Sequence, residues 1–349
     1  MSATSEGPSA PVVIQHADGV VRISELPDKR RRIELVPRDA SVFVACGVTE
    51  TTYPCALIRE LLEIDFGFLC ATIARDESAL DAALLADLFA FVARSDFTGR
   101  RLLDFGCGTG ASSCVLGRAL PETTVVGVDL DLRMLKVARA RAEHHRLTNV
   151  EFRTTATPAS LSPDIGAFDF VVLSAVYEHL LPEERRRLMP ALWGHLRAGG
   201  VLFVNQTPHR WFPYEHHSTR LPFVNYLPLP LAVRVARRWA RQRTAPNRSR
   251  DTREHLRGGL RGATERQIIS NLGGNPDPVV LTPCLPGLHD RVDLWFSRLN
   301  PHRHRRLKRI IKLAVRVVYR LTGTVFAPGI TLALAKPGAD GRSLPRAAA

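Results

Sequence analysis

The stretch Leu102 to Gly110, LLDFGCGTG, decides how the rest of the chain is read. Its apolar opening reads as a strand, its alternating glycines as a tight turn, and the following ASSCVLGRAL as a helix. Glycine lets the backbone turn sharply and approach a ligand that a Cβ would exclude. The helix beyond it offers unpaired N–H groups and the positive end of its dipole. Nineteen positions after Gly110, Asp129 closes the strand TVVGVD, where a carboxylate can accept both hydroxyl protons of a ribose.

Outward from this loop, Gly99 to about Pro208 alternates strands and helices, which predicts an α/β fold with a parallel sheet and crossover helices. The strand candidates are RLLDF, TVVGVD, VEFRTT, FDFVVLS and GVLFVNQ. Helices are expected at Ala111 to Leu120, Asp131 to Arg146 and Pro182 to Leu196, with a short turn near Ser160. Downstream, ATERQIISNLGG reads as a helix, PVVLTP as a strand and GITLALAKP as the last strand of the sheet. Upstream, PVVIQHADGVVRISEL reads as a hairpin about Asp18-Gly19, and TYPCALIRELLEI and ESALDAALLADLFAFVARS as helices. The domain boundaries expected are a tail and hairpin over 1–40, a helical extension covering the site over 41–98, a cofactor core over 99–208, substrate segments, an insertion and last strands over 209–337, and a mobile tail over 338–349.

The glycines run GxGxG directly behind an acid, rather than GxGxxG. The order and spacing of LLDFGCGTG, VVGVD, FDFVVLSAVYEHL and LRAGGVLFV resemble the class I S-adenosylmethionine (SAM)-dependent methyltransferases, over about Arg101 to Gln206. The resemblance implies a Rossmann-like, seven-stranded, mostly parallel sheet with helices on both faces, an N-terminal helical extension and a basic insertion before the last strand. It implies S-adenosyl-L-methionine as cofactor, with Asp104, Gly106, Gly108 and Gly110 lining its methionine part, Asp129 holding the ribose and Leu130 beside the adenine. Where the family has an acid and a small residue after its third strand, this chain has FRTTATPAS. Thr155 and Ala156 stand nearest there, so a hydroxyl or a backbone N–H replaces the carboxylate. A Rossmann domain that binds NAD, or no cofactor, is the alternative.

Methyl transfer needs alignment above all, and a base when the acceptor is a hydroxyl. His179, at the end of FDFVVLSAVYEH, is one candidate base, and its Glu178 neighbour a weaker one. The segment NQTPHRWFPYEHHSTRLPF, Asn205 to Phe223, supplies His216 and His217 as further candidates for acceptor contact or base. No metal is expected, because adjacent histidines on an extended segment point opposite ways. The helix around Tyr53 and Leu57 resembles the segment that covers the site in many family members; packing is the expected role of Tyr53, with contact to SAM or substrate as the alternative. The lack of an Asn-Pro-Pro-Tyr motif favours oxygen over an amide nitrogen as methyl acceptor. The function expected is methyl transfer to a small-molecule or lipid-linked acceptor at oxygen. The rivals are a non-catalytic SAM- or nucleotide-binding protein and an RNA methyltransferase.

Composition bounds these readings. The 349 residues are 45% hydrophobic and 23% charged, as in an ordinary globular chain. The net charge is +14, yet only Lys29, Lys136, Lys308, Lys312 and Lys336 are lysines, and aromatics are sparse in the basic stretches. Nucleic acid is therefore not the expected partner. Six cysteines show no metal-ligand spacing, and neither a secretory leader nor a spanning apolar run is read, so the expected location is cytoplasmic. RHRRLKRIIKLAVRVVYRL can be laid on a helix with an apolar face (Leu307, Ile310, Ile311, Ala314, Val317, Val318, Leu321) and a basic stripe (Lys308, Lys312, Arg316, Arg320). LAVRVARRWARQR is a weaker copy. Such helices either lie on an anionic membrane, here through residues 305–321, or pack on the sheet with a solvated arginine face.

Overall fold

The computed structural model describes residues 10–77, 80–241, 244–274, 276–299 and 305–338. The start of the chain up to Ser9, and the tail expected beyond Gly338, lie outside the described residues.

The chain opens with four strands, β1 (Val12–His16), β2 (Gly19–Glu25), β3 (Arg31–Pro37) and β4 (Val48–Thr51), paired antiparallel in sequence order. The expected hairpin at Asp18-Gly19 is present, with Val12 opposite Ile23. The sheet it starts is larger than a hairpin, and β4 carries it across the boundary expected at residue 40. One face is apolar: Val21, Ile23, Ile33 and Leu35 pack with Leu57, Ile58, Leu61 and Leu62 of α1 (Cys55–Leu62), and with Ile73 of α2 (Leu69–Glu77). Alternation along β2 gives this directly, since successive strand side chains face opposite sides. Tyr53 is fully buried in the same cluster, as its packing role predicts.

Helix α3 (Leu80–Phe89) leads into the core. There β5 (Arg101–Phe105), α4 (Ala111–Ala119), β6 (Thr124–Asp129), α5 (Leu132–His144), β7 (Val150–Thr154), β8 (Phe168–Ser174), α6 (Pro182–His195) and β9 (Leu196–Pro208) follow in turn. After β9 come the short pair β10 (Tyr214–Glu215) and β11 (Leu221–Pro222), helices α7 (Leu229–Trp239), α8 (Ala245–Arg248), α9 (Thr252–Arg257) and α10 (Glu265–Ser270), then β12 (Val279–Val280), α11 (Arg291–Ser297), α12 (Arg305–Thr322) and β13 (Gly329–Ala335). The main sheet has seven strands in the order β12-β13-β9-β8-β5-β6-β7. The five from β9 to β7 are parallel, while β13 and β12 are antiparallel to their neighbours. This is the Rossmann-like, mostly parallel sheet expected.

Parallel strands are covered on both faces and so read as continuous apolar runs. All seven residues of β8, FDFVVLS, are buried. Leu188, Met189, Leu192 and Trp193 of α6 close one face, and Val115 and Leu116 of α4 with Leu84 and Leu88 of α3 close the other. Strand order reverses beside β5, whose neighbours are β6 and β8. The crevice at the carboxyl ends of these strands is where such sheets bind ligands.

Helix α12 reverses one expectation. Lys308, Lys312, Val315, Arg316 and Tyr319, at helical spacing, are its less exposed residues. Lys312 and Arg316 reach inward to Asp293, and Arg316 also to Asp290, so the arginine face is not the solvated one. Leu307, Ile310, Leu313, Val317 and Leu321 are each about half exposed or more. The ends of this region are pinned by a buried ion pair, Arg291 Nη1 to Glu265 Oε2 at 2.8 Å. Arg291 also donates to the Gly323 carbonyl, and Glu265 accepts the Val325 N–H.

Removing one member of a buried pair leaves a charge without compensation. Glu265→Ala is expected to destabilise the fold by about 3–5 kcal/mol, and a double Glu265→Leu, Arg291→Met variant to recover most of that loss. Urea unfolding of the three proteins checks it; equal losses in single and double variants would discount the pair.

Candidate active site

The loop that follows β5 is built by two carboxylates. Asp104 is buried, and one of its oxygens accepts the hydroxyls of Ser112 and Ser113 at 2.6 Å each. Burial raises its pKa above the ordinary carboxylate value, and the serine hydroxyls pull the other way. Asp129 takes the Gly108 N–H at 2.9 Å on one oxygen and the Asp131 N–H at 3.0 Å on the other. An ionised carboxylate offers about four acceptor positions, so about two remain for a ligand.

Two glycines are required by contact. Gly106 has φ +72, and a Cβ on it would lie 2.7 Å from Val176. Gly110 caps α4 at φ +79, and a Cβ there would meet Ala138 of α5 at 2.6 Å. Gly108 differs: a Cβ would find only the Met134 sulfur, at 3.7 Å, and both residues line the same cleft. A side chain at Gly108 would therefore project into the space a ligand needs.

That cleft has a volume of about 290 Å³. Gly106 to Thr109, Ala111, Ser112 and Met134 form its floor, and Ser174 and Ala175 one wall. Ala175 sits at φ +55, in the left-handed region that non-glycine residues seldom adopt. Leu61, Ile64, Asp65, Phe68, Thr72 and Arg75 supply the remaining wall from α1, α2 and the turn between them. Buried Arg141 of α5 ties the parts together, donating to the Thr109 carbonyl and hydroxyl and to the Thr72 carbonyl.

Arg75 makes no hydrogen bond or ion pair among the described residues. The residue is exposed at the cleft wall, and desolvation of the guanidinium by the surrounding protein, with the charge of Arg141, draws its pKa below the ordinary arginine value. Nothing in the sequence marked Arg75, which lies on a helix without a motif. Ser112 and Ser113 had a signal, since they directly follow the glycine turn.

The adenine side is sparser. Leu130 is 48% exposed beyond Asp129. Ala156 is exposed, but the Thr155 hydroxyl is buried and donates to the carbonyls of Thr157 and Ser160. The Thr155 backbone N–H bonds the Asp129 carbonyl. The Thr155 hydroxyl and N–H are thus both engaged within the protein.

The candidate bases separate. His216 is exposed. His217 joins His179 and Glu178, with the two imidazole rings 5.2 Å apart. His179 Nδ1 lies 2.6 Å from the Arg257 carbonyl. Glu178 is fully buried in the turn after β8, and its Oε2 accepts the Thr207 hydroxyl at 3.0 Å. Burial raises the Glu178 pKa and lowers that of His217 to about 4. The trio follows the cleft wall directly, since Val176 touches the Gly106 position and Ala175 lines the cleft.

A family model described as a methyltransferase domain matches residues 102–200. The chain carries a class I SAM-dependent methyltransferase domain. S-adenosyl-L-methionine is the cofactor of such a domain, and the glycine loop, the open Gly108 position and the two spare acceptor positions on Asp129 fit it. Among curated proteins, the trans-aconitate 2-methyltransferase of Deinococcus radiodurans is 35% identical over 121 residues, covering 35% of this chain and 42% of that protein. That of an Azoarcus species is 33% identical over 150 residues, covering 43% and 53%. The chain spans about half the length of these curated relatives. Among solved structures, the apo form of the SAM-dependent methyltransferase SibL matches with a TM-score of 0.41 and 17% identity, covering 78% of this chain and 58% of that one.

His209, 3% exposed beside the Phe326 ring, supplies a pH signature. Burial lowers its pKa from 6.5 to about 4. Between those values the unfolded chain binds the proton and the folded one does not, so this contribution to stability is lost as pH falls from about 6.5 to 4. The full span is worth about 3 kcal/mol. His209→Gln should flatten the pH dependence of the urea midpoint over that range, and an unchanged slope would contradict the burial argument.

Proposed function

We propose that this protein transfers a methyl group from SAM to an oxygen of a small, carboxylate-bearing acceptor. The observation that carries the reading is Arg75, an unpartnered guanidinium in the cleft wall, facing the glycine loop. A planar guanidinium matches a carboxylate with two parallel hydrogen bonds. The trans-aconitate enzymes among the relatives, whose named acceptor is a polycarboxylate, support the same class. Bound SAM supplies an electrophilic methyl carbon; the work of the chain is to align an oxygen with it and to exclude water. In this reading Asp129 holds the ribose, the unpaired N–H groups at the start of α4 receive the methionine carboxylate, and Arg75 anchors the acceptor. Glu178, His179 and His217 face the acceptor's reacting end in this reading.

Asp129→Ala is expected to weaken SAM binding by roughly 10- to 100-fold in calorimetry, from the loss of charge-assisted hydrogen bonds. With a panel of small carboxylic and hydroxy acids, Arg75→Ala should raise the acceptor KM and leave SAM affinity within about twofold, while His217→Ala lowers turnover. Tight SAM binding with no methyl transfer to any acid would favour the non-catalytic rival instead. A fall in SAM affinity on Arg75→Ala would move that residue to the cofactor.

A second reading, contact with a membrane and a lipid-linked acceptor, is favoured by the outward apolar stripe of α12. Exposed Arg309 and Arg320 lie on the same helix, and α7 exposes Leu231 and Trp239 among arginines. No helix among the described residues is long and apolar enough to cross a membrane, so the contact proposed is interfacial. The protein is expected to co-sediment with anionic vesicles at low salt and to lose this on Ile310→Glu, Leu313→Glu substitution. Equal recovery from neutral and anionic vesicles would remove the reading.

A further inference from the structure

Glu178, His179 and His217 place one potential ligand atom each within 4.8 Å of one another. The arrangement around these atoms is specific. Glu178 is fully buried, and Thr207 occupies only its Oε2. Its Oε1 is buried without a hydrogen-bond partner. An unsatisfied buried carboxylate oxygen is costly, and it calls for a proton donor or a cation.

His179 sets the second ligand atom. A carbonyl only accepts, so the 2.6 Å contact with the Arg257 carbonyl fixes the proton on Nδ1. The Nε2 lone pair is thereby left free, 3.9 Å from Glu178 Oε1. A backbone carbonyl that orients an imidazole in this way is the usual outer support of a metal-bound histidine. His217 arrives from the β10–β11 connection, and its position depends on Gly259. Gly259 has φ +82, and a Cβ on it would fall 2.5 Å and 2.6 Å from the His217 ring edge and 3.4 Å from the Glu178 stem. The backbone thus comes in tightly behind His217 and Glu178, leaving no room for a side chain there.

We propose that Glu178 Oε1, His179 Nε2 and a ring nitrogen of His217 bind one divalent transition-metal ion. Two imidazoles and one carboxylate form an open, mixed nitrogen and oxygen site that suits Zn²⁺, Co²⁺ or Fe²⁺ and leaves positions for an exogenous oxygen. The site deepens the reading of this trio as the acceptor-facing group, and rests on it only for the role of an ion there, which is to draw an acceptor oxygen into place. The expectation from sequence is that adjacent His216 and His217 do not share a metal; here His217 takes its partners from the turn after β8 and not from its neighbour.

The test uses the full chain, stripped with EDTA and free of any histidine tag, in equilibrium dialysis against Zn²⁺ and in Co²⁺ absorption spectroscopy. About one equivalent of Zn²⁺ and visible Co²⁺ bands are expected. His179→Ala and His217→Ala should each weaken binding by roughly 100-fold and abolish the bands, while His216→Ala retains both. His179 is partly exposed, so its variant is the one least able to unfold the protein, and circular dichroism confirms that it is folded. Wild-type binding well below one equivalent, or unchanged binding in both His179→Ala and His217→Ala, overturns the proposal. The readout needs no turnover, so its failure is distinct from failure to methylate any acceptor.

Discussion

The bond from the Gly108 N–H to the Asp129 carboxylate fixes the cofactor end of this molecule. It joins the turn after β5 to the end of β6, the strand beside it, and so holds the glycine loop against the sheet edge. The Asp131 N–H on the other oxygen turns the chain into α5, whose Ala138 then presses on Gly110. Asp104 repeats the device on the loop's other side, gathering Ser112 and Ser113 at the start of α4. The loop's own hydrogen bonds thus hold these carboxylates in place. Such preorganisation spares a ligand the cost of ordering its own site.

The core of the fold was legible because its signals are local. An apolar run such as FDFVVLS predicts a strand buried on both faces, and β8 is one. The loop glycines were legible for the same reason, since positive φ and close approach leave a residue-type trace. Regions whose structure depends on distant partners were not. β3 and β4 look like basic, turn-rich chain, and become strands by pairing in register with β2. Thr155 has the right sequence position for an adenine contact, yet its hydroxyl is consumed by Ser160, five residues away in a loop of no recognisable pattern.

Helix α12 shows the limit of periodicity most clearly. The pattern reveals that the helix has two faces but not which one turns inward, because that depends on what waits on the core. Here Asp290 and Asp293, at the start of α11, offer carboxylates to Lys312 and Arg316. The usual rule that the apolar stripe is buried gives way, and the stripe of Leu307, Ile310, Leu313 and Leu321 is left outside. A solvent-facing stripe of that kind on a basic helix marks a surface for something other than water.

The same reasoning applies inside the molecule at Glu178. The parallel sheet positions the cofactor loop, and the segments around residues 55–75 and 209–262 supply walls and cover. Glu178 lies where the two meet: its backbone belongs to the turn Tyr177–His179 after β8, and its side-chain neighbours, Thr207 and His217, come from β9 and beyond. A fold selected for stability alone would place an apolar residue there, or give both oxygens donors, since a half-satisfied buried carboxylate works against folding. The unsatisfied oxygen beside two imidazoles is therefore better explained by a ligand than by packing. Its place immediately past the cleft wall sets that oxygen just beyond the residues that line the glycine-loop cleft.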